Sequence, residues 1–242
     1  MCENTTYAIY VVSYKDPARQ SRMNDRFRKC GLYVHYVDPV HMDDPRISKY
    51  DVSVAEKRNW SIFFQHLDSW RNFHQHTNAD YCIVLEDDVH ISNQFDRQMP
   101  QIMDLFQSNH LDILLLSYLW PYPSFGDNTY FPILKTGVEG TGWTSPFVLR
   151  KYPDDLWGAH MYMISRAHAG KMLEKYTSEY AFSCVGTSQP FCTDWQFTKW
   201  GNRALLDPMI GVEEGEVKTD HVGQIEFHRQ CTNAHYSTCK FF

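Results

Sequence analysis

Three consecutive carboxylates, Glu86-Asp87-Asp88, stand directly after the apolar run Tyr81-Cys82-Ile83-Val84-Leu85. Carboxylates this close repel one another unless a cation or strong donors compensate them. As hard oxygen ligands they suit Mg²⁺ or Mn²⁺. The apolar run reads as a buried strand, and in open α/β sheets ligands gather outside the carboxyl ends of the strands. The triplet therefore sits where chemistry is expected, with Glu86 and Asp88 as metal-ligand candidates and Asp87 beside them. The competing reading is a solvated acidic turn, the common fate of acidic clusters.

Other residues could complete such a site. Cys192-Thr193-Asp194-Trp195 sets one acid beside an aromatic, away from the triplet. Carboxylates bound to a cation are poor proton acceptors, so a separate acid is needed as a general base, and Asp194 is the candidate. Its rival role is a helix N-cap before Trp195 and Phe197. Asp154 and Asp155 are secondary candidates for the base. His221, in Thr219-Asp220-His221-Val222-Gly223, offers an imidazole, which suits Mn²⁺ better than Mg²⁺. The alternative is an exposed tail histidine. Arg19, Arg22 and Lys57 offer positive charge to phosphates, against simple surface solvation.

The elements that must position these groups follow from periodicity. Thr6 to Ser13 is a β-branched and aromatic run, as in a buried parallel strand. After Asp16-Pro17 comes a polar helix bearing Met23 and Phe27 and stopping at Cys30-Gly31, and then Leu32 to Val37 reads as a second strand. Strand, helix, strand is a βαβ unit and places the chain in the α/β class. Ser53-Val54-Ala55-Glu56 has capping-box spacing, and Trp60, Phe63, Phe64, Leu67, Trp70 and Phe73 follow at helical intervals. The acidic strand comes next, then a helix through Met99, Ile102, Met103 and Phe106, then the strand Ile113 to Leu116. Residues 117 to 153, rich in Pro, Gly and aromatics, predict a long loop or a small hairpin set. Ala159 to Ile164 predicts a strand, with Ser165 capping a helix through Ala169 and Leu173. Beyond Leu206 the pattern predicts an irregular tail.

The bulk numbers narrow the class of function. At 242 residues the chain suits one large domain with a sizeable core. A net charge of -6 with no long basic run argues against nucleic acid as a partner. No stretch approaches the roughly 20 apolar residues of a membrane span, so no transmembrane segment is expected. The start, Met1-Cys2-Glu3-Asn4-Thr5-Thr6, lacks the features of a secretion signal. A complete chain would then be cytoplasmic, and one in the secretory lumen would have to be a piece of something longer. Seven cysteines at irregular spacing read as mostly free thiols, with Cys184–Cys192 and Cys231–Cys239 as the pairs an oxidising compartment could close.

Four segments, in order, resemble the family 25 glycosyltransferases, which include lipooligosaccharide and collagen galactosyltransferases. Tyr7-Ala8-Ile9-Tyr10-Val11-Val12-Ser13, with Arg19 and Arg22 ahead of Phe27, resembles the family's first strand and arginine-bearing helix. Glu56 through Phe64-Gln65-His66-Leu67-Asp68-Ser69-Trp70 is similar to the family helix with a Ser-His pair and a tryptophan, except that Gln65 stands where serine is usual and the preceding Gly-Cys is absent. Tyr81 through Asp88 resembles the strand and its Glu-Asp-Asp motif. Gly158 through Arg166, with Asp194-Trp195 downstream, is similar to the segment behind the acceptor site.

The resemblance implies a GT-A, Rossmann-like nucleotide-sugar-binding fold with a mixed, mainly parallel central sheet. It divides one catalytic domain, 1–242, into a nucleotide-binding half of about 1–117 and an acceptor-side half of about 118–242. It implies an inverting hexosyl- or pentosyltransferase of glycan biosynthesis, with Mn²⁺ (or Mg²⁺) and a nucleotide-sugar donor, a UDP-sugar first, acting on a glycan or glycoconjugate hydroxyl. Val12, Ser13 and Tyr14 at the first strand end, Arg19, Arg22 and Lys57, and His66, Glu86 and Asp87 are then the donor-binding candidates. Trp120, Trp143 and Trp157 are the acceptor-side candidates, with Tyr122 and Tyr152 near them, because aromatic faces suit sugar rings. For each of these aromatics, core packing is the alternative. Two rival functions are a catalytically inactive GT-A-like sugar-binding module and a metal-dependent nucleotidyltransferase. Intact Glu86, Asp87 and Asp88 weigh against the first, and the absence of GxxxxGK[ST] against the second.

Overall fold

The computed structural model describes residues 6–14, 16–125, 131–136, 145–154, 156–215 and 221–242. The strands are β1 (Tyr7–Val12), β2 (His35–Tyr36), β3 (Tyr81–Glu86), β4 (Val89–Ile91), β5 (Ile113–Ser117), β6 (Ile133–Thr136), β7 (Val148–Lys151), β8 (Met161–Ser165), β9 (Arg203–Asp207) and β10 (Gly211–Glu213). The helices are α1 (Pro17–Lys29), α2 (Pro45–Ser48), α3 (Val54–His76), α4 (Phe95–Ser108), α5 (Arg166–Lys175), α6 (Ser178–Ser183), α7 (Thr193–Gln196) and α8 (Val222–His235).

Local chemistry accounts for the helix starts. The Asp16 carboxylate accepts from the amides of Ala18 and Arg19 and Pro17 opens α1, while Arg26, Arg28 and Lys29 complement the dipole at its far end. The capping box at Ser53 and Glu56 is formed in both directions. Ser165 caps α5 through the amide of His168. Each of these starts stands where the sequence places it.

Eight strands form one sheet in the order β2-β1-β3-β8-β5-β9-β7-β6, and β10 pairs β4 in a separate ribbon. The period-2 alternation of each strand serves two cores. Tyr10, Val12, Cys82, Val84 and Tyr162 face the core under α3 and α5. Ile9, Val11, Ile83, Leu85 and Met163 face the core under α1 and α4. The result is an α/β/α arrangement, with strands from before and after residue 117 interleaved in one sheet.

The sheet is mixed and its strands are mainly parallel in direction, as expected, with β7 and β8 against the other six. Other expectations are corrected. Only three of its ladders are parallel, those of β1 with β2, β1 with β3, and β5 with β9. The causes are β8, which enters antiparallel between β3 and β5, and β7, which lies antiparallel between β9 and β6. The second strand is only His35–Tyr36, an edge strand that meets β1 at two residues, with Tyr33 91% exposed beyond that ladder. The stretch beyond Leu206 is not an irregular tail: it forms β10, paired with β4, and α8. Only Cys231 of α8 is fully buried, so the helix carries no apolar stripe by which it could be read.

Of the two forms expected for 117–153, a long loop or a small hairpin set, the antiparallel pairing of β6 with β7 fits the second. The six described cysteines are free thiols, including both members of each candidate pair. Among the described residues no helix is long and apolar enough to cross a membrane.

Replacing Ser53 by alanine removes the acceptor for the Glu56 amide and half of the capping box. The expected cost is about 1 kcal/mol, read as a lower urea midpoint at unchanged slope. An unchanged midpoint would show that the first turn of α3 contributes nothing to global stability.

Candidate functional site

A cavity of about 370 Å³ opens at the carboxyl end of β3. Its walls include Glu86, Asp88, Asp194 and Glu213, together with Arg19, His160 and His228. Glu86 and Asp88 share one strand end, and the others come from separate places in the fold. Glu86 is the last residue of β3, paired in register with Val12 of β1, and its amide donates to the His160 carbonyl at 2.9 Å. Asp87 and Asp88 turn the chain into β4, and the Asp88 carbonyl accepts from the Glu214 amide at 2.7 Å. That bond carries the end of β10, and with it Glu213, to the cavity.

Arg19 of α1 clamps the acidic turn, donating to Asp87 Oδ1 at 2.9 Å and Asp88 Oδ2 at 3.2 Å. Asp88 Oδ1 is buried and has no partner among the described residues. On the opposite wall, Asp194 Oδ1 accepts from the amides of Gly158 and Ala159, both at 2.8 Å. Asp194 is therefore not the N-cap of its helix: Cys192 holds that place, and Asp194 lies inside the first turn, tying the approach to β8. Gly158 is needed there. Its φ is 103°, and an added Cβ would lie 2.5 Å from His160 Cε1 and 2.7 Å from the Leu119 nitrogen.

The electrostatics are uneven around the cavity. Burial raises the Glu86 pKa well above its ordinary value, and the charges of Asp88, Asp194, Glu213 and Asp87 push it the same way. Burial also raises Asp88, against the opposing pull of His160 and Arg19. For Glu213 burial acts upward, but the hydrogen bond from His228 at 2.8 Å and the nearby His160 bring it below the usual carboxylate value. His228 is raised by the same bond to Glu213, against burial. Glu213 and His228 form a pair, whereas Glu86 stands under the repulsion of four neighbouring carboxylates and Asp88 is offset only by Arg19 and His160.

The sequence-derived donor residues fall around this point with different exposures. Val12 and Ser13 are buried; the Ser13 carbonyl accepts from Gln65 Nε2 at 2.9 Å, so Gln65 fastens the end of β1. Tyr14 is 66% exposed, with its hydroxyl 2.8 Å from His41 Nδ1. Arg22 pairs with Glu214 at 3.2 Å, and Lys57 near the start of α3 does not line the cavity. Asp87 is buried and held by Arg19. His66 is fully buried behind the cavity, its Nε2 4.0 Å from Glu86 Oε1, and burial lowers its pKa to about 3.

Of the acceptor-side aromatics, Trp157 lines the cavity and is 48% exposed. Trp120 packs on Phe125 and Phe131 outside the cavity, with exposed Tyr122 beside it. Tyr152 is core, its hydroxyl donating to the Leu156 carbonyl. Asp154 pairs with Arg203 on the surface. Trp143 and Asp155 lie outside the described residues. His221 is exposed at the N-cap of α8 and does not line the cavity, while Gln224 and His228 of that helix do.

Sequence reasoning assigned no role to His160, Glu213, Gln224 or His228. His160 stands inside the segment Gly158 to Arg166 that bears the family resemblance, and Glu213 follows the apolar Met209-Ile210-Gly211-Val212 much as Glu86 follows its strand. That repeated pattern, apolar run then acids, was the available signal.

The donor chemistry of the cavity fits a hard divalent cation, because Asp88 Oδ1 is an unpartnered buried oxygen beside a second carboxylate under repulsion. Among the described residues, however, no three His, Cys, Asp or Glu side chains converge closely enough to hold a metal ion.

Glu86→Gln should stabilise the folded chain in chelator at neutral pH. A carboxyl whose folded pKa is raised costs stability as pH rises from its unfolded value of 4.5 toward the folded one, and costs nothing below both. The gain in melting temperature should therefore be present at about pH 8 and vanish near about pH 4. A variant less stable than wild type throughout would contradict the repulsion.

No protein-family model matches the chain, and no curated protein matches it. Among solved structures, the crystal structure of A197 from STIV is similar with a TM-score of 0.42 and 13% identity, over 89% of this chain and 100% of that one. The crystal structure of a glycosyltransferase involved in the glycosylation of the major capsid of PBCV-1 is similar with a TM-score of 0.43 and 12% identity, over 92% of this chain and 98% of that one. Likeness of that degree carries no argument about chemistry, which rests on the side chains described above.

Proposed function

We propose that the cavity is the active site of a metal-dependent glycosyltransferase of the family 25 type, using a nucleotide-sugar donor, a UDP-sugar first. The observation that carries this reading is the unpartnered Asp88 Oδ1 beside Glu86, both under repulsion at the carboxyl end of a parallel strand. Such a strand end is where α/β folds bind ligands, and the local excess of negative charge calls for a cation. Asp88 and Glu86 would hold a divalent ion, which would supply the positive charge that a departing diphosphate needs.

The chain's own residues then divide the work. Tyr14, exposed just past β1, offers a face to the nucleoside base. Arg19 holds Asp87 and Asp88 in place. Trp157, half-exposed at the wall, offers an apolar face to the acceptor sugar. Asp194 Oδ1 is committed to two amides, and its Oδ2 has no hydrogen-bond partner among the described residues. In the proposed single displacement, the acceptor hydroxyl oxygen bonds to the anomeric carbon, the bond from that carbon to phosphate oxygen breaks, and the hydroxyl proton passes to Asp194 Oδ2.

Thermal-shift titration with UDP-, GDP- and CMP-sugars, with and without Mn²⁺, tests the reading, since a true donor stabilises the fold by mass action. The expected result is a metal-dependent shift with one nucleotide class, lost in Asp88→Asn. No shift with any donor would defeat the proposal. Asp194→Asn keeps both amide contacts within reach and removes the base. Its turnover should fall roughly a hundredfold to ten-thousandfold at unchanged donor affinity, whereas lost donor affinity at full turnover would make Asp194 a binding residue.

A further inference from the structure

We propose that His66 is a positioning residue for Glu86, presenting its Nε2–H to the carboxylate from behind, with its tautomer fixed by the buried pair Trp70 and Tyr162. His66, Trp70 and Tyr162 are each fully buried, and none of them touches the cavity directly. Trp70 Nε1 lies 3.0 Å from the Tyr162 hydroxyl oxygen, and that oxygen lies 3.0 Å from His66 Nδ1. An indole nitrogen can only donate, so the Tyr162 oxygen accepts from Trp70.

The remaining question is where the single Tyr162 proton goes. Burial holds the Tyr162 pKa well above its ordinary value, so the hydroxyl keeps its proton. Among the described residues the hydroxyl has no hydrogen-bond partner but Trp70 and His66. If His66 carried its proton on Nδ1, the Tyr162 oxygen would accept twice and its own proton would be buried without an acceptor, a cost that folded proteins avoid. If Tyr162 donates to Nδ1, every group in the chain is satisfied up to Nε2. Burial keeps the imidazole neutral, so Nε2 then carries the one ring proton.

That Nε2–H has no hydrogen-bond partner among the described residues. Its facing group is Glu86 Oε1 at 4.0 Å, too long for a hydrogen bond but short enough for a turn of the carboxyl group to close. An unpaired buried donor 4.0 Å from a carboxyl oxygen favours the Glu86 orientation that reaches back to His66. His66 thus steadies one end of Glu86 while the other faces the cavity, without itself changing protonation.

Two measurements test this, and only the second rests on the proposed function. Long-range ¹H–¹⁵N correlation spectra of the full chain, labelled at histidine and assigned with His66→Gln, report the tautomer directly. The neutral Nε2–H form is expected, and the Nδ1–H form or an imidazolium at pH 7 would overturn the proposal. Affinity for UDP with Mn²⁺ is then compared across variants. His66→Gln places an amide donor near the Nε2 position and should stay within about twofold of wild type, while His66→Phe should weaken binding about tenfold. If His66→Phe does not fold, His66→Asn, whose amide reaches only the Nδ1 position, replaces it with the same expected loss. Equal affinities in donor-bearing and donor-lacking variants would remove the positioning role. If wild type binds no UDP, the functional reading fails while the tautomer result still decides the hydrogen-bond chain.

Discussion

The Glu86 amide donates to the His160 carbonyl at 2.9 Å, and this backbone bond continues the β3–β8 ladder to the edge of the cavity. Because β8 enters antiparallel between β3 and β5, its N-terminal approach arrives beside the C-terminal end of β3. The approach, residues 157 to 160, brings Trp157 and His160 with it. Asp194 then fastens the approach from outside by accepting the amides of Gly158 and Ala159. An all-parallel sheet would carry the start of such a strand to the opposite end. One reversed strand therefore decides which residues meet Glu86.

What could be read in the sequence divides along physical lines. β3 and α3 show their own periodicity, and the capping box at Ser53 and Glu56 is a local hydrogen-bond pattern within four residues. Such features need no knowledge of distant contacts. Asp194 could be picked out as an isolated acid, and it does line the cavity, yet its partners are main-chain amides more than thirty residues earlier, which spacing does not reveal. The ribbon of β4 and β10 joins two strands of three residues each across more than a hundred positions. Strands that short carry too little alternation to be seen. His221 is two helical turns from His228, which pairs with Glu213. Choosing between them requires the direction of α8, and a helix with one buried residue does not announce it.

Gln65 shows why a departure from a family pattern can be benign. Where the resemblance leads one to expect serine, the longer amide reaches the Ser13 carbonyl at 2.9 Å and the Val37 carbonyl at 3.4 Å. Both carbonyls belong to loops that follow strands of the parallel edge. Buried main-chain acceptors need partners, and Gln65 supplies them from the interior of α3. It fixes the backbone on which Tyr14 is mounted.

Glu213 and Glu214 are adjacent, and their different partners show how charge is distributed around the cavity. Glu214 turns away and is met by two guanidinium groups, Arg26 at 2.6 Å and Arg22 at 3.2 Å. Glu213 turns inward and is met by His228 at 2.8 Å. Asp87, next to the cavity, takes Arg19 at 2.9 Å. Acids with structural roles here are thus compensated by groups of the chain itself, as burial demands. Glu86 and one oxygen of Asp88 are the exceptions, since Arg19 meets Asp88 only at Oδ2. Leaving a buried carboxylate oxygen unpaired costs stability with no gain in packing. The uncompensated negative charge is thereby confined to one point, the carboxyl end of β3, the kind of place where α/β folds bind ligands and where the proposed cation would sit.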